Sequence, residues 1–368
     1  MSTMHPVSAV PRVRLGAFAV VAALIAPVLL SGCSSIGPKS IPRDRIEYST
    51  VMGESWKEQT LLNIVRLRYV DAPVFLDVSS VISSYTLEGQ VDLKGNFFSG
   101  ATPDNQSVGG YGRYTDRPTI SYTPLTGEKF SKSLLQPIPP VAVFSMIQAG
   151  YPADFILRAT VRGMNGRYNR ATGANLRPAE PEFEQLADAI RRIQQSQGLG
   201  MRIERRDGRD VTLLFFHGAS DPSLQKDIAL VERLLGIRPP LDEINLTYGA
   251  VPRNDQEIAI QTRSMLEILI EFADGIDVPA DHISSGRTYP GTLQQSASGV
   301  AGSPLARIHS GAQRPPQAYS QVKYRDSWYW IDDTDVKSKR AFAFMMMFFS
   351  LAETGVPAQT PVITVGAN

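Results

Sequence analysis

Three times in the second half of the chain, two short strand-like segments lead into a helix. That rhythm restricts the fold more than any other feature. Residues 201–204 and 211–216 flank Asp207-Gly208, a tight-turn pair, and a helix over 223–235 follows. Asp221 suits the cap of that helix and Pro222 its first turn. Next, Ile244, Leu246 and Tyr248 alternate, then Ile258 and Ile260, and 264–274 reads as a helix stopped by Gly275. A third unit runs through 318–324, 328–331 and the helix 337–352, and 361–365 adds a last strand. Hairpins joined by helices predict an α+β fold, with antiparallel sheets and helices packed on one face.

The first half adds a helix and a long hairpin. Over 54–69, Leu61, Ile64, Val65 and Tyr69 share one helical face, and Asn63 and Arg66 lie elsewhere. From Tyr85 to Phe97 the alternation has period two. Tyr85, Leu87, Val91, Leu93 and Phe97 stand against Thr86, Glu88, Gln90, Asp92, Lys94 and Asn96. Residues 99–115, rich in Gly, Asn, Ser and Tyr, read as a mobile loop, with 119–123 as the return strand. The dry row makes Val91, Leu93 and Phe97 the candidate partner contacts. A short helix over 141–149 and a strand over 155–161 follow. The polar connector 162–181, with three glycines and two prolines, marks a domain boundary, and 182–197 is helical. Residues 284–303 are small and polar, as in a flexible insertion. Residues 341–349 are apolar all round but too short to span a bilayer, so they belong to a core.

The chain carries 37 basic and 36 acidic side chains, a balance without the basic excess of a nucleic-acid surface. Its only cysteine is Cys33, so no internal disulfide can form and packing must supply the stability. Arg12 and Arg14 precede an apolar run over 15–30 that is short for a membrane span and ends in Leu30-Ser31-Gly32-Cys33. Those four residues resemble the lipobox of bacterial lipoprotein precursors. The resemblance covers about the first 35 residues. It implies diacylglycerol on the Cys33 sulfur, cleavage before Cys33, and membrane attachment through several acyl chains. Ser34, where an aspartate commonly retains such proteins in the inner membrane, implies the outer membrane, facing the periplasm. The body is similar to uncharacterised proteobacterial envelope lipoproteins. The chain then divides into a signal peptide (1–32), a lipidated tether (33–53), a helix and β-hairpin domain (54–165) and a C-terminal α+β domain (182–368).

No catalytic, cofactor or metal set stands out. Asp332, Asp333 and Asp335 lack the glycine and terminal glutamate of a calcium loop, and capping of the following helix explains them. His217, His282 and His309 are far apart, without zinc spacing. The chain has no Gly-x-Ser-x-Gly elbow and no phosphate-binding loop in context. The expected role is a non-enzymatic scaffold or assembly component with an envelope protein as partner, with homo-oligomers as a further expectation. The alternatives are an envelope-polymer hydrolase whose site is assembled from distant residues, and a subunit of an oligomeric outer-membrane pore. The pore follows from likeness to anchored lipoproteins, such as the curli secretion channel, that donate hairpins to a shared barrel.

Overall fold

The computed structural model describes residues 41–82, 85–96, 105–117, 119–172, 177–206, 208–217, 221–238, 243–291 and 304–352. Cys33, Phe97 and the expected strand at 361–365 lie outside them. The chain divides into two compact units, Met1–Lys57 and Glu58–Asn368. The helix α1 runs from Ile41 to Arg68 and so begins well before Glu54. In the first unit it is open to solvent at Ile46 and Val51 and carries the Lys57–Glu54 pair.

In the second unit, the final turns of α1 bury Leu61, Ile64, Val65 and Tyr69, the face that the spacing predicts. Two nested ribbons follow. Strand β1 (Leu76–Ile82) pairs antiparallel with β4 (Thr119–Pro124). Between them, β2 (Tyr85–Asn96) pairs with β3 (Asn105–Asp116) in an unbroken register from Tyr85↔Asp116 to Asn96↔Asn105. The loop expected over 99–115 is therefore a strand from Asn105 onward. Gly109, Gly110 and Gly112 lower its intrinsic strand preference, and pairing with β2 overrides that preference. The 119–123 strand returns along β1 instead of β2.

After α2 (Gly127–Phe130) and a π-helical turn (Ser131–Leu135) come α3 (Pro140–Gln148) and α4 (Ala153–Thr160). Helix α4 replaces the strand expected at 155–161. Its apolar run suits either state, and the Arg158–Asp154 pair one turn apart supports the helix. Strands β5 (Val161–Met164) and β6 (Arg167–Tyr168) form a hairpin over Asn165-Gly166, both at positive φ. Helix α5 (Pro181–Gln195) leads to β7 (Leu199–Arg206), β8 (Arg209–Phe216) and α6 (Pro222–Leu235). Strands β9 (Ile244–Tyr248) and β10 (Glu257–Thr262) precede α7 (Met265–Asp274).

All six strands β5 to β10 belong to one sheet in the order β6-β5-β10-β9-β8-β7. The 162–181 connector thus begins inside this sheet. The α+β architecture and the strand–strand–helix units stand, with one difference. Strands β9 and β10 are parallel rather than a hairpin. Parallel neighbours usually need a crossover of a dozen residues or more, whereas here 249–256 suffices. The buried Glu257 carboxylate makes this tight return workable. It accepts the Arg253 backbone N–H at 2.9 Å and the Thr247 hydroxyl. On the helical layer, Arg158 bonds Glu184 and Asp188 to tie α4 to α5, and Arg192 grips Asp227 to tie α5 to α6.

Helix α8 (Ala280–Ser284) is followed by a three-stranded sheet of β11 (His309–Gly311), β13 (Ser327–Ile331) and β12 (Ser320–Tyr324), in that order. Helix α9 (Val336–Ala352) fills the interior. Phe342 packs on Phe272 and Tyr319, Phe344 on Tyr151 and Phe155, and Phe349 on Phe75. Each such side chain, fully buried, contributes roughly 1.5–3 kcal/mol. Among the described residues, no helix is long and apolar enough to cross a membrane.

Candidate interaction arm and the polar node at its root

The ribbon β1–β4 is an arm with little core of its own. In β2, Thr86, Glu88, Gly89, Gln90 and Asp92 are exposed, and in β3, Gly109 to Arg113 are exposed and Thr115 is half-buried. In an antiparallel pair, directly opposed residues share a face. The register therefore puts positions 87, 91 and 93 on the face of 114, 110 and 108, and Glu88, Gln90 and Asp92 on the face of Arg113, Tyr111 and Gly109. Val91 and Leu93 are opposed by Gly110 and Val108, so both candidate contacts lie on one row of the arm. Twelve residues per strand extend about 40 Å at roughly 3.4 Å each.

Helix α1 holds the root. The Asn63 side chain donates to the Val74 carbonyl at 2.8 Å and accepts the Val74 N–H at 2.8 Å. Gln59 does the same at Leu76, donating at 3.1 Å and accepting at 2.8 Å. The four residues from Gln59 to Asn63 rise about 6 Å along the helix, and two strand residues advance about 6.6 Å. The two amides therefore match alternate residues of the chain, like rungs of a ladder. Phe75, between them, turns inward onto Phe349, and its carbonyl accepts the Leu125 N–H at 2.9 Å. Spacing alone leaves Asn63 off the apolar face, yet it is fully buried. No local signal marks it, because its partner is backbone.

Helix α1 ends in a strained turn. Asp71 N–H bonds the Arg66 carbonyl at 2.9 Å, and Val70 sits at φ +60°. This is the glycine position of a helix C-cap, occupied by a β-branched residue. Asp71 then accepts from the Tyr324 hydroxyl and lies 3.4 Å from Arg325.

Behind the turn is a buried polar node. The Tyr69 hydroxyl lies 2.6 Å from the Tyr329 hydroxyl and 2.5 Å from His282 Nδ1. Burial raises the Tyr69 phenol far above its ordinary range, and the Tyr329 hydrogen bond adds to the effect. A phenol held protonated in this way serves as a hydrogen-bond bridge. Next to it, Arg68 is wholly buried, and among the described residues its guanidinium makes no hydrogen bond. Tyr289 covers it, with its ring centroid 4.4 Å from the guanidinium carbon. Gly291 closes in as well: a Cβ there would fall 2.6 Å from Arg68 Nη2. Thr288, whose hydroxyl bonds the Arg68 carbonyl, is buried too. The first part of the expected 284–303 insertion is thus docked on α1, and 292–303 lies outside the described residues.

A second buried ionic cluster braces the sheet. Glu271 on α7 pairs with Arg170 and lies 3.4 Å from Arg263. Arg263 donates to the carbonyls of Arg158, Ala159 and Arg170. Burial lowers the Arg263 pKa, and Glu271 opposes that shift.

Of the acids before α9, Asp335 works as its cap, and Asp333 pairs with Lys339. Asp335 accepts from the Ser338 N–H at 3.0 Å and hydroxyl at 2.6 Å, and Asp332 accepts from Thr334. His309 stacks on Trp330, and His217 lies against Phe215 at the end of β8. His282 enters the Tyr69 node instead, and its distance in sequence from Tyr69 hides that role. Among the described residues, no three of His, Cys, Asp and Glu gather as metal ligands. No family model, no curated protein and no solved structure matches this chain.

Proposed function

We propose that this protein is a lipid-anchored envelope component that works as a non-enzymatic scaffold, holding or assembling a partner at the periplasmic face of the outer membrane. The Leu30-Ser31-Gly32-Cys33 sequence supports the anchor, and Cys33 carries the acyl chains. The arm supports the scaffold role and is the observation that carries it. A two-stranded ribbon is marginal in water, and here one runs over twelve paired residues with Glu88, Gln90, Asp92, Tyr111 and Arg113 exposed on one row. Its root, by contrast, is firmly fixed by Asn63, Gln59 and Phe75. A rigid mount under an unpaired ribbon suits capture of another chain. A second reading, a subunit of an oligomeric pore, gains support from β3. Both strands, at twelve residues each, reach the 9–11 residue length that a barrel strand needs.

Metabolic labelling with palmitate tests the anchor. We expect label on the wild-type chain and none on Cys33→Ala. Crosslinking in intact cells, followed by mass spectrometry, tests the scaffold role. We expect crosslinks that start from the arm. Label retained after Cys33→Ala, or a cell envelope in which the arm contacts nothing, overturns the reading.

A further inference from the structure

We infer that the arm's partner is a second copy of this chain, with β2 of one copy adding edge-to-edge beside β3 of the next. The inference rests on the scaffold reading and names its partner. Strand β2 pairs only with β3, and β3 only with β2, among the described residues. Each therefore presents one outer edge of backbone donors and acceptors, the kind of edge that recruits another strand. The two free edges of a single ribbon suit each other. Strands β2 and β3 run antiparallel, so a copy set alongside continues the sheet in the antiparallel sense, using its β3 edge against the first copy's β2 edge.

Chemistry favours the same match. On the wet row, β2 carries Glu88, Asp92 and Lys94, a net negative charge, and β3 carries Arg113. The hairpin itself already opposes Glu88 to Arg113. In the register of the hairpin, or shifted by four residues so that Asp92 takes the place of Glu88, the contact between copies keeps the rows on their own sides and again sets an acid of β2 against the arginine of β3. Opposite charges set directly across from each other on neighbouring strands stabilise the pairing. The dry row, with positions 87, 91, 93, 108 and 114, likewise continues from copy to copy. Both edges of every copy are used, so the contact is head-to-tail. It stops growing only when a ring closes.

The test uses the full-length acylated chain, extracted in detergent and weighed by light scattering. In one variant, a two-residue Asn-Gly turn joins Ile82 to Thr119, which β1 and β4 already bring opposite each other. A second keeps the full length and combines Glu88→Arg with Asp92→Arg. We expect a multiple of the chain mass for the intact protein. The trimmed chain should run as a single copy with its thermal midpoint nearly unchanged. The charge variant should lose assembly at low salt and regain part of it near 1 M salt, where the Debye length is about 3 Å. An intact chain that runs as a single copy overturns the inference, as does either variant keeping the intact mass. A single-copy protein whose arm still crosslinks to another envelope protein sinks this inference alone. Loss of the Cys33 label sinks the anchor alone.

Discussion

Asn63 and Val74 exchange two hydrogen bonds, each 2.8 Å long, between a helix side chain and an extended backbone. A helix cannot offer backbone groups sideways to a strand, since its own ladder uses them. A primary amide has the same donor and acceptor as a peptide group and can stand in for one. The arm is therefore attached to α1 by imitation of strand pairing.

Replacing Asn63 by Leu should remove both bonds and strand the Val74 N–H and C=O. We expect a loss of about 1–3 kcal/mol, the usual cost of an unsatisfied buried polar group. Urea unfolding measures it. Hydrogen exchange at Val74 and Leu76 should accelerate before the core opens. A variant with unchanged exchange at those two amides would show that the amide ladder does not hold the root.

Val70 at φ +60° carries strain that glycine would not. Val70→Gly should raise stability by about 1 kcal/mol, because the side chain is mostly exposed and little packing is lost. A fall in the thermal midpoint would mean that the cost of glycine's freedom in the unfolded chain is the larger effect.

Alkaline pH should unfold this protein through Tyr69. Its phenol is raised on folding, so its contribution is complete below the ordinary tyrosine value of about 10 and disappears as pH climbs above it. The urea midpoint should hold from pH 8 to 9.5 and fall steeply beyond about 10. In Tyr69→Phe the midpoint should start lower and slope less. An equal slope in the two proteins would remove Tyr69 as the cause.

Glu271 is the anion shared by Arg170 and Arg263, and Arg263 is buried. Glu271→Gln leaves that cation uncompensated, with an expected loss of about 3–5 kcal/mol. The joint replacement of Glu271 and Arg263 by Leu and Met should cost clearly less than the single change. Equal losses in a double-mutant comparison would show that charge is not the issue.

Helix ends are the most legible part of the sequence. Asp221, Pro222 and Gly236 bound α6, and Ser264 with Glu267 caps α7. Those signals act within a turn or two, so their partners are neighbours in sequence. Asn165-Gly166 belongs with them: the pair is an open hairpin signal, and only its polar flanks make the stretch look like a connector.

Strand partners are another matter. Alternation states that 85–97 has a dry row and a wet one, but every strand with period two makes the same statement. Which strand lies beside it depends on energies between residues distant in the chain. So the glycine-bearing 105–116 pairs with β2, Thr119–Pro124 returns to β1, and β9 runs parallel to β10. Likewise the sequence alone determined that Leu61, Ile64, Val65 and Tyr69 face a core, because helical geometry fixes their spacing. Only the tertiary structure decided that Asn63 would be buried against Val74, Arg68 beneath Tyr289, and Tyr69 between Tyr329 and His282. A polar side chain is satisfied inside by whatever the rest of the fold brings to it, and no local pattern encodes that meeting.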